Sequence, residues 1–376
     1  MKKHRRFNMT FMAVTLPSLV TVGLFNLAID PYGVIDSPEI SGLNELRTQK
    51  FHNVRLFKAI DVTRVEPKTL LLGSSRTDLG LDPAHPALTN KQPAYNLGLV
   101  GPNIYEVKRY FEHSLANQPE LKTVVLGIDL FMFNEYKINE VDFSEDRLEK
   151  ENLTAQELLN VTLSTSAIQS SAKTIKSSID SDAYYLYRPD GMRYVYGNEP
   201  NEPIPKKFKG SIGGLRKGEG YYKKYQLSEE FLVNLQEIVD ICKQQNIELK
   251  VFISPSHASQ WENLRAAELW SVFEEWKRQL VKITPVWDFS GYNTITTEAI
   301  SKDMENYWDS SHYRKEVGDL VLNRIFDYQK DKVPTDFGVL LTQENIESNL
   351  AKINTQREIW SNNNSDVVEF VESLQP

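Results

Sequence analysis

Short apolar runs recur along the middle of the chain and predict buried strands. The clearest runs are residues 69–73, 122–127, 248–253 and 284–288, with a weaker one at residues 95–98. Their length and near-continuous apolar character are typical of strands covered on both faces. Between the runs, apolar residues recur every three or four positions, as at Phe231, Leu235, Ile238 and Cys242. This alternation predicts an α/β fold, a three-layer α/β/α arrangement around a mainly parallel sheet.

The beginning of the chain has a different pattern, a basic cluster followed by an uncharged apolar run. Four cations lie between residues 2 and 6, and no charged residue occurs from Met9 to Ile29. As a helix, this run extends roughly 30 Å, enough to cross a bilayer core. The basic flank predicts a cytoplasmic N-terminus and an extracytoplasmic main domain, periplasmic or at the cell surface. A cleaved signal peptide shares these features, but no small-x-small site precedes Asp30, which favours an uncleaved anchor.

These patterns divide the chain into four predicted segments. Residues 1–30 are the anchor, residues 31–66 a connector with an amphipathic helix from about 43 to 60, residues 67–330 the α/β domain, and residues 331–376 a polar C-terminal tail with one short helix. Within the domain, residues 134–226 interrupt the strand–helix alternation. We interpret them as an insertion at the carboxyl edge of the sheet and as a candidate lid.

The insertion contains two features of its own. A Ser/Thr-rich helix places Ile168, Ala172, Ile175 and Ile179 on one face. Seven cations then follow between residues 206 and 224. These cations either bind an anionic polymer or form a solvated surface, and the sequence leaves both readings open.

Composition excludes several functional classes. The single Cys242 rules out a disulfide scaffold and a thiolate zinc site. No His, Asp and Glu residues occur at metal-ligand spacing, so we expect neither a metal nor another cofactor. The net charge is −8, and the basic anchor makes the remainder more acidic still. This balance argues against a nucleic-acid partner.

Two short stretches carry residue types used in nucleophilic catalysis. Ser75 follows the first predicted strand in Gly73-Ser74-Ser75, so its hydroxyl is expected at the ligand edge of the sheet. Asp309 precedes His312 by three residues, a spacing at which a carboxylate can orient an imidazole base. Each stretch alone also has a structural interpretation, because Gly-Ser-Ser is ordinary loop composition and Asp309 could cap the helix that follows.

In this order, the two stretches resemble the SGNH (GDSL-type) hydrolases over residues 68–326. Gly73-Ser74-Ser75 stands where the family has Gly-Asp-Ser, and Asp309-x-x-His312 matches its carboxyl-terminal Asp-x-x-His block. Gly98 matches the glycine of the second block. The resemblance implies that Ser75 is the nucleophile, His312 the base and Asp309 its orienter. It also implies that the backbone amides of Ser75 and Gly98 form an oxyanion hole.

The third family block, Gly-x-Asn-Asp, is altered here to Gly127-Ile128-Asp129-Leu130. An ionised Asp129 in the place of the asparagine would repel an oxyanion. We therefore expect Asp129 to point away or to pair with a cation such as Arg76, or else the pocket to be tuned differently from that of the family. Arg76, Asp129, His257 and Trp308 are further assigned to substrate binding. His257 follows a predicted strand and is alternatively a second base, and Trp308 is a candidate sugar-stacking surface.

The anchor and the triad together resemble membrane-anchored, extracytoplasmic members of this superfamily, such as those of alginate O-acetylation and teichoic-acid D-alanylation. The resemblance implies an O-acyltransferase or esterase acting on an exported polysaccharide, most simply by O-acetyl transfer. A multi-span membrane O-acyltransferase is the implied partner. The alternative is a catalytically weak scaffold that binds polymer or protein partners on the same fold. Asp129 favours the scaffold, whereas the complete Ser75, His312 and Asp309 set favours the enzyme.

Overall fold

The computed structural model describes residues 2–180, 186–195 and 202–374. The chain packs as two compact units, Met1–Arg64 with Ser144–Arg188, and Val65–Phe143 with Pro189–Pro376. We call them the N-terminal unit and the sheet unit. The predicted insertion at 134–226 is thus divided, because residues 144–188 pack with the N-terminal unit and the flanking parts pack with the sheet unit.

In chain order the helices are α1 Lys2–Ile29, α2 Val54–Val65, α3 Ser75–Gly80, α4 Ile104–Asn117, α5 Glu145–Leu148, α6 Ala155–Leu163, α7 Thr165–Ile179, α8 Ile204–Lys217, α9 Glu229–Gln244, α10 Ala258–Ala266, α11 Trp270–Ile283, α12 Lys315–Ile325, α13 Ile346–Asn363 and α14 Ser365–Ser373. The strands are β1 Thr69–Gly73, β2 Ala94–Gly98, β3 Thr123–Ile128, β4 Glu248–Ile253, β5 Val286–Asp288 and β6 Val339–Leu341. Shorter 3-10 turns cover Thr48–Asn53, Pro86–Lys91, Leu130–Phe133 and Lys330–Lys332, and Glu219–Lys223 is a π turn.

The strands of the sheet unit form one sheet in the order β2-β1-β3-β4-β5-β6. The first five pair in parallel, and β6 is antiparallel to β5. The prediction of an α/β fold with a mainly parallel sheet is therefore confirmed, and the five predicted strands are present. The strand order reverses at β1, between β2 and β3. In open α/β sheets the crevice beyond the strand ends at such a reversal is where ligands bind.

Burial explains why the central strands appear as continuous apolar runs. Every residue of β1 and β3 is buried, so neither strand has a solvent face that would require polar positions. Leu71, Val125 and Phe252 from neighbouring strands belong to one hydrophobic cluster with Val317 and Val321 of α12. The core thus lies directly beneath the residues that follow β1 and β3.

Two predicted elements differ from the structure. The connector helix begins at Val54 instead of near residue 43, and two of its cations, Arg55 and Lys58, are buried. The Lys58 ammonium lies 5.4 Å from the centre of the Tyr187 ring, an interaction that no periodicity encodes. The predicted polar tail contributes β6 and the two helices α13 and α14. Strand β6 has three residues and is ordered by pairing with β5, so it carries no local signal of its own.

In the N-terminal unit, α1 carries the apolar run recognised in the sequence. Its segment His4–Ile29 contains an 18-residue stretch with a mean hydropathy of 1.8 and is long and apolar enough to cross a membrane. Pro17 lies inside this helix without ending it. Large apolar side chains from Phe7 to Phe25 are exposed along α1.

Candidate active site

A tight strand-to-helix turn holds Ser75 at the carboxyl end of β1. Gly73 has a φ of +149°, and a Cβ there would lie 2.3 Å from the Thr77 hydroxyl and 2.7 Å from the Gly127 carbonyl oxygen. Glycine is therefore required for the chain to turn so close to β3. Ser74 caps α3 by accepting a hydrogen bond from the Arg76 amide, and Ser75 is the first residue of that helix. Its side chain is only partly buried, so it remains accessible.

The Asp309–His312 loop is closed on itself before α12. Tyr307 and Tyr313 form an antiparallel bridge, and the Trp308 amide donates to the His312 carbonyl oxygen at 2.9 Å. Inside this loop, one Asp309 carboxylate oxygen accepts from the backbone amides of Ser311 at 2.7 Å and His312 at 2.8 Å. Asp309 is fully buried and its position is set by the backbone of its own loop.

The structure brings the three predicted catalytic side chains into one hydrogen-bonded line. His312 Nε2 lies 2.9 Å from Ser75 Oγ, although the residues are separated by 237 positions in the chain. On the other side of the ring, His312 Nδ1 lies 2.9 Å from Asp309 Oδ2. The Asp309 carboxylate therefore fixes the tautomer with a proton on Nδ1, leaving Nε2 free to accept the Ser75 proton. The geometry is that of a nucleophile activated by an oriented base.

Asp129 and Arg76 form a buried ion pair beside this line. The Arg76 guanidinium bonds to Asp129 Oδ1 through Nη1, and Ser74 Oγ donates to Asp129 Oδ2 at 2.5 Å. Their side chains are 5% and 1% exposed. Burial acts to lower the pKa of Arg76, but the Asp129 carboxylate leads the contributions that raise it above its ordinary value. Of the arrangements expected for Asp129, the structure adopts the pairing with Arg76.

This pair also joins the two halves of the site. Arg76 Nε donates to the Ser311 hydroxyl at 2.9 Å. Because Arg76 directly follows Ser75 and Ser311 directly precedes His312, this hydrogen bond connects the segment of the nucleophile to the segment of the base. The assignment of Arg76 and Asp129 to substrate binding has no support in these contacts, because their bonds are to each other, to Ser74 and to Ser311. We read them as positioning residues.

Gly98 ends β2 beside the first turn of α3. A Cβ on Gly98 would lie 2.5 Å from the Asp78 amide nitrogen, so only glycine allows this approach. The Gly98 amide donates to Asn96 Oδ1 at 2.9 Å, and Asn96 Nδ2 donates to the carbonyls of Thr77 and Leu81. The predicted oxyanion donor thus has an acceptor within the protein. An oxyanion is a stronger acceptor than an amide oxygen and can replace it.

His257 is not brought to Ser75. Its Nε2 lies 2.7 Å from the Glu298 carbonyl oxygen, and its Nδ1 accepts from the Ser259 amide at 3.1 Å as the cap of α10. The imidazole is 1% exposed, and burial lowers its pKa to about 4, so it is neutral near pH 7. Its backbone amide donates to the Ser310 carbonyl oxygen. These contacts give His257 a structural role in place of the predicted substrate contact or second base.

The aromatic residues of the loop divide by exposure. Tyr307 is fully buried and donates to the Pro255 carbonyl oxygen. Trp308 is half-buried and stacks on Arg314, whose guanidinium carbon lies 3.7 Å from the ring centre. Trp308 therefore keeps a partly accessible face next to the triad, as a stacking surface requires.

A polar chain supports the loop from the side of α8, and sequence reasoning missed it. Ser310 Oγ bonds to Ser211 Oγ of α8 at 2.9 Å and to Gln260 Oε1 at 3.2 Å. Gln260 Nε2 in turn donates to the Tyr222 hydroxyl at 2.7 Å, and burial raises the pKa of that phenol. Isolated polar residues in separate segments give no local signal, so only the tertiary structure reveals this chain.

Within the parts of the chain that the structure describes, no group of three or more His, Cys, Asp or Glu side chains could hold a metal ion. No protein-family model and no curated protein sequence matches this chain.

Proposed function

We propose that this chain is a membrane-anchored, SGNH-type O-acyltransferase or esterase that acts on an extracytoplasmic polysaccharide. The observation that carries the proposal is the hydrogen-bonded line from Ser75 through His312 to Asp309 at the carboxyl edge of β1. The partly exposed serine and the fully buried carboxylate match the two roles, since the first must reach substrate and the second must only orient the base.

In the proposed reaction, Ser75 Oγ attacks the carbonyl carbon of an acyl donor while His312 Nε2 accepts its proton. The tetrahedral intermediate is stabilised by the backbone amides of Ser75 and Gly98. It collapses to an acyl-serine as His312 returns the proton to the leaving group. A sugar hydroxyl or water then attacks the acyl-serine with His312 as base, and Ser75 regains its proton. Exclusion of water in this second half favours transfer, most simply of acetate, over hydrolysis.

We infer the three-layer arrangement from the strand order. The connection from β1 to β2 runs across the sheet in the opposite direction to the connections that lead to β3, β4 and β5. Since parallel crossovers are right-handed, the two directions put their helices on opposite faces of the sheet. We likewise infer from the basic flank of α1 that the N-terminus is cytoplasmic and the sheet unit extracytoplasmic. The acyl donor is then supplied across the membrane, for which a multi-span O-acyltransferase is the proposed partner.

One observation favours a second candidate, a catalytically weak scaffold that binds polymer or protein partners. Asp129 stands at the position of the family's asparagine, and its carboxylate is bonded to Arg76 and Ser74. The oxyanion hole then lacks one amide donor, a loss that costs other acyl-transfer enzymes about 10²–10³-fold in rate.

The first experiment separates enzyme from scaffold. The full-length protein in detergent is treated with a fluorophosphonate probe, which labels activated serines. We expect labelling in the wild type and in Ser348→Ala, which alters an exposed serine of α13, and none in Ser75→Ala or His312→Ala. Absence of Ser75-dependent labelling in a folded protein would overturn the enzyme and leave the scaffold.

The second experiment separates transfer from hydrolysis. Polymer-linked acetate is measured in cells that carry wild type or Ser75→Ala. A fall in acetate in the variant supports transfer, and a rise supports an esterase. Unchanged acetate, together with Ser75-dependent labelling, would show that the polymer or the acyl group is a different one.

A further inference from the structure

Helix α7 of the N-terminal unit is amphipathic, but it buries its polar face and exposes apolar residues. Most of the predicted apolar face is exposed: Ile168 is 40% and Ile179 70% accessible, Ala172 is also exposed, and Ile175 is half-buried. The serine and threonine face is buried instead, including Ser171 and Thr174. A helix on the surface of a water-soluble domain normally buries its apolar stripe. The arrangement of α7 is the one expected if its outer face meets a medium other than water.

The preceding helix adds to the same apolar surface. Leu158 and Leu159 of α6 are 41% and 50% exposed, and only Val161 and Thr162 of that helix are buried. We call the exposed residues Leu158, Leu159, Ile168, Ala172 and Ile179 the apolar rim.

The corner between α6 and α7 is attached to the end of α1. Asn26 Nδ2 donates to the Thr162 carbonyl oxygen at 2.7 Å, and the Ser171 hydroxyl donates to Asn26 Oδ1 at 2.7 Å. Both polar groups of the only asparagine in the second half of α1 are thus satisfied, as burial at membrane depth requires. The Leu163 side chain packs on Gly23, where an added Cβ would lie 3.3 Å away.

The position of this corner along α1 sets its depth. Gly23 lies six residues before Ile29, roughly 9 Å along the helix axis. Leu24 and Phe25, in the same turn, are 61% and 39% exposed, so the apolar surface of the span continues past the point where α6 is attached. A bilayer that covers these side chains therefore also reaches the level of the corner.

Charge on α7 agrees with this placement. The helix contains Lys173 and Lys176, both exposed, and no acidic residue. Cations beside an apolar stripe are typical of helices that lie in the membrane interface, where the ammonium groups reach lipid phosphates.

We propose that the apolar rim of α6 and α7 is a lipid-binding surface that lies in the outer interface of the bilayer next to α1. The proposal rests on the membrane anchor inferred above and is independent of the catalytic chemistry. The two helices then hold the end of the span rigidly at the bilayer surface, so that the N-terminal unit is seated on the membrane at more than one point.

The test is spin-label accessibility in the full-length chain, reconstituted in vesicles that contain an anionic lipid. Single cysteines replace Ile168 and Ile179 in the rim, with Gln169 as the matched position on the other exposed side of α7 and Leu16 as the position inside the span. The native Cys242 is buried, so unsubstituted protein serves as the labelling blank. Collision with oxygen, which concentrates in lipid, is compared with collision with a water-soluble nickel chelate.

We expect the labels at Ile168 and Ile179 to favour oxygen over the nickel chelate, with the reverse at Gln169. Equal nickel access at all three positions would overturn the proposal in favour of a water-exposed rim. Low access to both reagents at the rim would overturn it in favour of a protein surface as the occupant, such as a second copy or a membrane partner. If the label at Leu16 is also freely accessible to the nickel chelate, α1 does not span the membrane, and the lipid-binding proposal is refuted as well. The labelling of Ser75 by the fluorophosphonate probe tests the proposed enzyme activity separately.

Discussion

The substitution Asp129→Asn tests what the unusual third block does. It introduces the asparagine that the resemblance to SGNH hydrolases implies at this position, and it removes the negative charge that faces Arg76. In the structure both Asp129 oxygens are engaged, one by Arg76 and one by Ser74. The substitution therefore leaves a buried guanidinium with no ionised partner among these contacts.

The size of the effect follows from the burial of the pair. Two unit charges about 4 Å apart at an effective dielectric of about 20 interact by roughly 4 kcal/mol. Removal of one member of a buried pair typically destabilises a protein by about 3–5 kcal/mol. We expect the lower end of that range for Asp129→Asn, because the amide oxygen still accepts one hydrogen bond. At about 2.1 cal/mol/K of unfolding entropy per residue, a loss of about 3 kcal/mol corresponds in a protein of this size to a fall in Tm of roughly 4–5 °C.

The assay combines chemical denaturation of the purified full-length protein with the rate of Ser75 labelling by the fluorophosphonate probe. Asp288→Asn is the matched control, because it breaks the buried pair between Asp288 and Lys277 at the end of β5. That strand lies three places from β1 in the sheet. Both variants should lose similar stability, but only Asp129→Asn should slow labelling, since only Arg76 is tied to Ser311 beside the base.

Two results would refute this reasoning. A free energy of unfolding within about 1 kcal/mol of wild type would show that the pair does not hold the site together. Faster labelling of Ser75 would show that the new asparagine acts as an oxyanion donor and that Asp129 restrains catalysis. The double variant Arg76→Met with Asp129→Asn should recover part of the lost stability, because it removes the unpaired charge as well.

Three further predictions concern the base, a buried histidine and a helix contact. His312→Ala should lower turnover of an activated acetyl ester by about 10³-fold or more, and a residual rate near wild type would exclude it as the base. Burial lowers the pKa of His257 to about 4, so the stability it contributes is present above pH 6.5 and is lost as pH falls towards 4. Between pH 6.5 and pH 4 this loss amounts to about 3 kcal/mol in the free energy of unfolding. His257→Asn should remove this pH dependence, as measured by denaturation curves at several pH values. In Gly318→Ala the new Cβ would lie 1.7 Å from the Gly80 carbonyl oxygen. We therefore expect thermal unfolding to show a loss of stability of about 1–3 kcal/mol, and we expect Ser75 to be labelled more slowly by the probe. An unchanged Tm would refute the close contact of α3 with α12.

Much of the sheet could be predicted because its signals are local. A strand buried on both faces has no solvent-facing positions, and so β1 and β3 appear as apolar runs, whereas β4 is fully buried only from Val251 to Ile253. The Asp309–His312 pair could also be anticipated, because the two residues lie only three positions apart in one loop. Strand β6 could not be predicted, because its three residues form a strand only by pairing with β5.

The contacts of single polar residues were harder to predict, because they too depend on segments that are distant in the chain. His257 follows a strand at the ligand edge, as the pattern indicated, yet its ring bonds to Glu298 and Ser259. Position along the chain determines which edge of the sheet a residue reaches, but the direction of its side chain depends on neighbours supplied by other segments.

What the sequence determined by itself was therefore the apolar helix, the strand–helix alternation and the two stretches that carry Ser75 and His312. The tertiary structure decided the rest: that these side chains, 237 residues apart, lie 2.9 Å from each other, that Asp129 pairs with Arg76, and that α7 exposes Ile168 and Ile179. The physical reason is that burial and backbone hydrogen bonding impose periodic constraints on neighbouring residues. Ion pairs, buried polar chains and the face a helix exposes depend on segments that meet only in the folded chain.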